Sequence, residues 1–502
     1  MQPPAPPIYP VSGIRTIEAL VAPHAQPTLM ERAGRAAAEE AVRLTQDRAG
    51  QTLIACGPGN NGGDGFVMAR RLLQAGRPVT VAFADDPAAL PPDAAAAFAA
   101  WRNAGGETVS DFPAAPANGW ALVVDALFGI GLKRPIEGRY AKWIDALNAQ
   151  PAPRLAIDIP SGLDADTGRI LGTVFRASTT LTFLALKPGL LTLDGPDIAG
   201  TIHVHRLDID PTAWLAPMGL QIQPGLARRF MRPRLQNTHK GCYGDVGIIG
   251  GARGMTGAAL LAGRAAMKLG AGRVMVGLVD AAAPAVDFFQ PELMLQCPQD
   301  VIEHAGVLAL GPGLGRSAEA AALLERAIGT DKPVVLDADA LNLLAASDGL
   351  RERVVARTAP TLMTPHPGEA GRLLGTDAAH IQADRVAHAL ALADRYKALV
   401  VLKGSGSVLT NPEGRWLINS TGHPGMASAG MGDVLTGLVA SLIAQGWPVD
   451  AALLAAVHLH GAAADRLARE GIGPVGLTAG EVIEAARGVF NGWIAQTARP
   501  PR

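Results

Sequence analysis

The chain has 502 residues, 48% hydrophobic and 18% charged, with a formal net charge of −1. That length passes the roughly 250–300 residues at which one core stops growing, so two domains are expected; the apolar fraction argues against disorder, and the balanced charge makes nucleic acid a poor partner. Three scattered cysteines (Cys56, Cys242, Cys297) support neither a disulfide framework nor a zinc site, the start MQPPAPPIYP has no signal-peptide pattern, and no apolar run is long enough to span a bilayer, so a cytoplasmic protein without a membrane partner is expected.

Taken in chain order, the first half alternates strands and helices. Strands are expected at 52–56, 78–84, 122–127, 154–159, 179–186 and 201–206, with helices at 66–74, closed by Gly76, and at 94–103. Such alternation implies a parallel sheet with helices on both faces. The rhythm fails over the proline-rich stretch 211–233, which places a domain boundary near residue 222 and gives domains 1–222 and 223–502. A second series begins at 245–250 and continues at 273–279, 307–310, 334–337, 361–364 and 398–402. The halves share no motif, which reads as a fusion.

The first glycine cluster is CGPGNNGGDGF, residues 56–66. Gly57, Gly59 and Gly62 fit the G-x-G-x-x-G dinucleotide fingerprint, and Asp85 and Asp86 end the next strand about 20 residues on, where a ribose-binding acid belongs. The bland alternative is a tight turn that uses glycine for positive φ. NNGGDG also carries side-chain oxygens of Asn60 and Asn61 and a carboxylate, Asp64, which suits a helix dipole but would repel a pyrophosphate. Oxygen-rich side chains on a glycine loop fit a weakly held cation and a hydroxyl-bearing ligand better. Asp125 in DALFGIGLKRP and Asp158 with Ser161 in DIPSG stand at later strand ends of the same sheet, where ligands of open α/β sheets collect. Each acid alone reads more simply as a cap or turn residue. Lys133 and Arg134 could hold phosphate.

NNGGDG, DALFGIGL and DIPSG, in this order, resemble the NAD(P)H-hydrate epimerase family, also known as YjeF N-terminal domains, over roughly residues 14–210. The resemblance implies a potassium ion held by Asn61, Asp125 and Ser161. It implies substrate contacts from Asn60, Asn61, Gly62, Gly63 and Asp64, from Gly129, Ile130, Gly131, Leu132, Lys133, Arg134 and Pro135, and from Asp158, which would act at the reacting carbon. The implied reaction interconverts the R and S forms of NADHX and NADPHX, the hydrated cofactors, so the dinucleotide would be substrate and not hydride carrier. A carboxylate such as Asp158 can shuttle the proton that epimerising a hemiaminal carbon requires.

In the second half, GMASAGMGDVLTG (425–437) opens an apolar helix. Small residues at a helix start expose backbone N–H groups to a transferring phosphoryl group, and Asp433 can take the proton of an attacking hydroxyl. Read blandly, it is a glycine-rich cap with an N-terminal charge. Together with HKGCYGDV, GPGLG, LDADAL, TPHPGE and KGSGS, this stretch resembles the NAD(P)H-hydrate dehydratase family, the YjeF C-terminal or carbohydrate-kinase-like domain, over about 229–489. By that resemblance, Gly315, His366 and Asp433 contact the hydrated nucleotide, Asp433 being the base. Lys403, Gly404, Ser405, Gly406, Ser407 and Gly432 bind the adenine nucleotide. Met431 replaces the hydroxyl residue of many ribokinase relatives, which leaves only backbone amides as donors there.

The implied fold is α/β, two three-layer αβα domains, Rossmann-like and then ribokinase-like. The implied protein is bifunctional: it epimerises R- and S-NAD(P)HX and dehydrates the S form at the expense of ADP, giving AMP and phosphate. Potassium in the first domain and magnesium with ADP in the second are the expected ions, NADHX, NADPHX and ADP the small-molecule partners, and a homo-oligomer the expected assembly. The rival enzyme reading is a small-molecule kinase with a Rossmann-like partner; a nucleotide sensor without turnover is the rival of another class. The pairs His203/His205 and His458/His460, the latter placed near a helix end, lack a third ligand and are not read as metal sites.

Overall fold

The computed structural model describes residues 5–497, which form two compact units, Pro6–Leu220 and a second that runs on from Gln221. The chain passes between them inside the proline-rich stretch, whose regular pieces are the 3-10 turns Pro211–Ala213 and Pro224–Phe230 and a short strand.

The first unit holds strands β1 (Pro7–Ile8), β2 (Gln51–Cys56), β3 (Val79–Ala82), β4 (Thr108–Val109), β5 (Trp120–Ala126), β6 (Arg154–Ile157), β7 (Thr179–Phe183) and β8 (Thr201–His205), and β9 (Gly219–Gln221) straddles its end at Leu220. A seven-stranded sheet has the order β4-β3-β2-β5-β6-β7-β8 with every pair parallel. Winding starts at β2, runs one way to β4, then returns to β5 and runs the other way. Right-handed crossovers in opposite directions place helices on opposite faces. This is the Rossmann-like order, with its switch point between β2 and β5. All seven residues of β5 are buried, as a strand covered on both faces requires.

The helix after β2 differs from the expected 66–74. It spans Asn60–Gln74, so NNGGDG is its first turns and not a loop. None of Gly57, Gly59, Gly62, Gly63 and Gly65 has positive φ. Glycine is required for space: a methyl at Gly57 would lie 1.9 Å from the Leu127 carbonyl oxygen, and one at Gly62 would lie 2.0 Å from that of Gly57.

The second unit holds β10 (Asp245–Gly250), β11 (Arg273–Leu278), β12 (Met294–Gln296), β13 (Val307–Leu310), β14 (Val334–Leu336), β15 (Thr361–Met363), β16 (Leu399–Leu402), β17 (Ser407–Thr410) and β18 (Trp416–Asn419). They run β18-β17-β16-β15-β14-β13-β10-β11-β12, parallel from β10 to β16 and antiparallel across β16, β17 and β18. The switch point lies between β10 and β13, and the doubly wound sheet fits the ribokinase-like expectation. The first four residues of KGSGS are the turn of the β16–β17 hairpin, and Ser407 opens β17. The apolar helix Met431–Ala444 packs on Thr256–Lys268, where a methyl at Gly437 would sit 2.1 Å from the Ala262 carbonyl oxygen. No described helix is long and apolar enough to cross a membrane.

Candidate active sites

In the first unit the acids and amides gather where β2, β5 and β6 end. Asp125 is fully buried. Its carboxylate accepts from the Ser161 hydroxyl at 2.6 Å, the Ser161 amide at 2.7 Å and the Leu127 amide at 3.1 Å. Burial pushes its pKa up to about 6 against the pull of those bonds. The Phe128 amide donates to Ser161 Oγ at 2.8 Å, and Gly129 stands against the Asn61 amide, a methyl there lying 3.6 Å from Oδ1. One three-residue segment, 127–129, thus touches Asn61, Asp125 and Ser161. Among the described residues, Asn61 Oδ1 and Nδ2 are buried without a hydrogen-bond partner. A buried polar atom without a partner is costly, and an orphaned carbonyl oxygen beside a carboxylate and a hydroxyl is a donor set that fits a hard monovalent cation.

A cavity of about 1090 Å³ opens over these strand ends. Asn60, Asn61, Asp64, the 129–134 segment and Asp158 line it; Gly62, Gly63 and Pro135 do not, Gly62 and Gly63 being buried in the helix packing. Asp158 is held at φ 65°, a left-handed conformation uncommon for a non-glycine residue. Its Oδ1 accepts from Lys187 Nζ at 2.7 Å. Lys187 is completely buried and also donates to Thr182 Oγ1 at 2.8 Å and the Phe183 carbonyl at 2.9 Å. Sequence reasoning missed this lysine; the one signal was a lone cation inside the apolar run LTFLALKPGLL.

Two expectations are corrected here. Asp64 does not bring its carboxyl to the helix start: it lies beyond the first turn, and burial, with Asp158 and Glu18 nearby, raises its pKa well above the usual carboxylate range. Asp85 and Asp86 are engaged elsewhere in the fold. Asp85 accepts from the Tyr140 hydroxyl, Asp86 caps the turn at Ala88, and neither lines the cavity.

In the second unit the helix Met431–Ala444 begins after Gly430, at φ 87°, with no side chain capping its open amides. Beside Gly432 sit Lys403 Nζ and Asp337 Oδ2, at 3.2 and 3.4 Å from a hypothetical methyl there. Lys403 Nζ pairs with Asp337 Oδ1 at 2.7 Å and lies 4.0 Å from Glu369 Oε2; Thr436 Oγ1 donates to Asp337 Oδ2 at 3.0 Å. Burial would raise Asp337, yet Lys403 and its hydroxyl donors hold it below its ordinary range. Asp433 is pushed up to about 7, first by burial and then by the Asp337 charge, with Lys403 opposing. These ends of β14, β15 and β16 and the helix start converge on one place.

His366 caps the helix Pro367–Leu374: Nδ1 accepts from the Gly368 amide at 3.0 Å, while the His366 amide donates to Glu369 Oε2 at 2.8 Å. Burial lowers its pKa, keeping the imidazole neutral at pH 7. Gly315, at φ 74°, donates its amide to Asp339 Oδ2 at 2.9 Å. In the hairpin turn, Gly404 and Gly406 both have positive φ, Ser405 is exposed, and the Ser407 hydroxyl donates to the Gly404 carbonyl at 3.1 Å. A buried arginine that sequence reasoning missed, Arg385, straps this turn by donating to the carbonyls of Leu402 at 3.1 Å, Lys403 at 3.2 Å and Gly406 at 3.4 Å.

His203 and His205 do not line the first unit's cavity, and His460 is near enough to Lys403 to feel its charge. His203 Nδ1 meets Glu40 at 2.9 Å. His458 and His460 lie mid-helix in Val449–Arg469, not near its end, and burial lowers both to about 4.

Two doubly wound α/β units, each with polar and charged side chains collected where its parallel strands end, are the build of a two-site enzyme acting on phosphate-bearing small molecules. Residues 26–189 match the family model described as YjeF-related protein N-terminus, and residues 246–486 that of NAD(P)H-hydrate dehydratase. The chain is 41% identical over 473 residues to the bifunctional NAD(P)H-hydrate repair enzyme Nnr of Escherichia coli, covering 92% of this chain and 89% of that protein. It is 38% identical to the enzyme of that name from Coxiella burnetii, over 92% of this chain and 94% of the other. A solved ADP/ATP-dependent NAD(P)H-hydrate dehydratase from Bacillus subtilis, co-crystallised with ATP and Mg²⁺, is similar at 29% identity, covering 54% of this chain and 97% of its own, with a TM-score of 0.49. The chain belongs to the family of bifunctional NAD(P)H-hydrate repair enzymes, with an epimerase domain followed by a dehydratase domain.

Proposed function

We propose that the first unit interconverts R- and S-NAD(P)HX at the cavity over β2, β5 and β6, and that the second dehydrates the S form using ADP, releasing AMP and phosphate. The observation that carries the second assignment is Asp433, a carboxyl poised near neutral pH in the first turn of an uncapped helix. It takes the proton of the added hydroxyl as that oxygen attacks the terminal phosphorus of ADP, whose charge the open amides and Gly432 receive. Loss of phosphate then restores the ring double bond. Lys403 and the 404–407 turn hold the adenine nucleotide; Gly315 and His366 face the hydrated nicotinamide. Magnesium bound with the diphosphate would offset its charge.

In the first unit Asp158 handles the proton at the hemiaminal carbon, and residues 60–64 and 129–135 hold the dinucleotide. Asn61, Asp125 and Ser161 would hold potassium, which would supply positive charge to the buried oxygens. Replacing potassium by a bulky organic cation should slow epimerisation and lower the first unit's melting temperature, and Asn61→Ala should abolish both responses; calorimetry with and without the ion checks this. The protein acts in the cytoplasm as a homo-oligomer.

The deciding experiment incubates a mixture of R- and S-NADHX with magnesium and ADP or ATP and follows recovered NADH and free phosphate. Asp433→Ala should stop dehydration and spare epimerisation; Asp158→Ala should stop conversion of the R form while purified S-NADHX is still processed. Equal loss of both activities in both variants would sink the two-site assignment. A phosphorylated product accumulating without free phosphate would favour the kinase reading.

A further inference from the structure

The helix Val11–Val21 precedes every motif of the first unit and the stretch that the family model matches. It nevertheless forms a wall of the first unit's cavity. Ile14, Arg15, Glu18, Ala19 and Ala22 line it, at the i, i+1, i+4, i+5 and i+8 spacing of a single helical stripe. The helix is fixed in place. Gly13, Ile14, Ile17 and Val21 are buried, and the Val11 amide donates to Asp166 Oδ1 at 2.7 Å. Its stripe faces the substrate side: Arg15 Nη2 lies 3.1 Å from where a methyl at Gly131 would be, over the 129–131 turn.

Glu18 is half-buried in this wall; its carbonyl accepts from the Ala22 amide, while its carboxyl has no hydrogen-bond partner among the described residues. Asp158 and Asp64 line the same cavity and lie near enough to act on its charge, as do Arg15 on its own helix and Lys187 beneath Asp158; Asp93, Lys133 and Arg134 line the cavity as well. Asp158 is already engaged by the Lys187 ammonium. Burial, then the Asp158 charge, raises the Glu18 carboxyl, so its proton is held into a higher pH range than that of a solvated glutamate. Inverting a hemiaminal carbon by loss and return of its hydroxyl needs a donor for the departing oxygen and an acceptor for the incoming water. Two carboxyls carried by different elements meet that need, and one carboxylate tied to a lysine does not.

We propose that Glu18 is the second catalytic acid–base residue of the epimerase site, working across the ring from Asp158. This rests on the role assigned to Asp158 above. In the R-to-S direction Glu18 gives its proton to the hydroxyl. The carbon–oxygen bond breaks with its electron pair leaving on water, and the ring nitrogen's lone pair closes a carbon–nitrogen double bond. Water then adds to the opposite face and its proton passes to Asp158. Exchange with solvent resets both carboxyls, and the reverse reaction exchanges their roles.

The test uses the full-length protein with purified R-NADHX and no ADP, so that the S form accumulates and is separated by chromatography. Glu18→Gln should lower the catalysed rate roughly 10²–10⁴-fold while R-NADHX still stabilises the protein thermally, and Asp158→Asn should do likewise. Glu18→Gln turning over within about threefold of the parent, with Asp158→Asn slow, overturns the role of Glu18 and leaves the site assignment standing. Asp158→Asn at the parent rate overturns the site assignment itself. If Glu18→Gln loses thermal stabilisation by substrate, Glu18→Asp decides: turnover regained with the shortened carboxyl supports the proposal, and none refutes it.

Discussion

Asp433 owes its raised pKa, about 7, to the low dielectric around the helix start and to the Asp337 charge, with Lys403 pulling the other way. A base must be deprotonated to act, so dehydration should rise with pH through that value. Asp337→Asn removes the charge that raises Asp433 and frees Lys403 to lower it. The acid-side midpoint of kcat/KM for S-NADHX should therefore move down by roughly one pH unit, whatever happens to the maximal rate. The same shift bears on stability. The folded state binds the Asp433 proton more tightly than the unfolded chain does, so this contribution is full below the unfolded pKa and is lost as pH rises through about 7. Asp433→Asn should then stabilise the second unit by about 1–3 kcal/mol at pH 8 relative to the parent, with the gain vanishing toward pH 4. Denaturant titrations at the two pH values check the sign.

At the scale of elements, the helix Asn60–Gln74 shows what the glycines of the first motif are for. Gly57 and Gly62 pack backbone against backbone, so that β2, the helix start and the 127–129 segment close on one another. Gly62→Ala would drive a methyl into the Gly57 carbonyl. It should destabilise the first unit by roughly 1–3 kcal/mol or more and slow epimerisation, with S-NADHX dehydration kept, as thermal unfolding and the two separate assays would show. A glycine needed only for positive φ would be spared at this position, whose φ is not positive. The β16–β17 hairpin is the opposite case: Gly404 and Gly406 do take positive φ, and Arg385 fixes the turn from below.

At the scale of the molecule, the two sites share no residue, and each lies inside one compact unit. An equimolar mixture of Asp158→Ala and Asp433→Ala proteins should accordingly convert R-NADHX to NADH with ADP present, although neither variant does so alone. The S form released by one protein only has to diffuse to the other. Failure of the mixture, with each variant keeping its remaining single activity, would mean that the intermediate does not leave the molecule.

By itself the amino-acid sequence determined the two βα series, their break in the proline-rich stretch, and the clusters NNGGDG, DALFGIGL, DIPSG, KGSGS and GMGD, because each is a property of contiguous residues and of local period. Strand ends were legible to within a few residues for the same reason. Tertiary structure alone decided that the glycine motif is a helix start, that Asp85 is spent on Tyr140, and that Lys187 lies under Asp158. It alone brought Glu18 to the same cavity and joined Asp337 to Lys403 and Thr436. Pairing and desolvation depend on which distant segments pack together, and the period of a single segment carries no information about its neighbours in space.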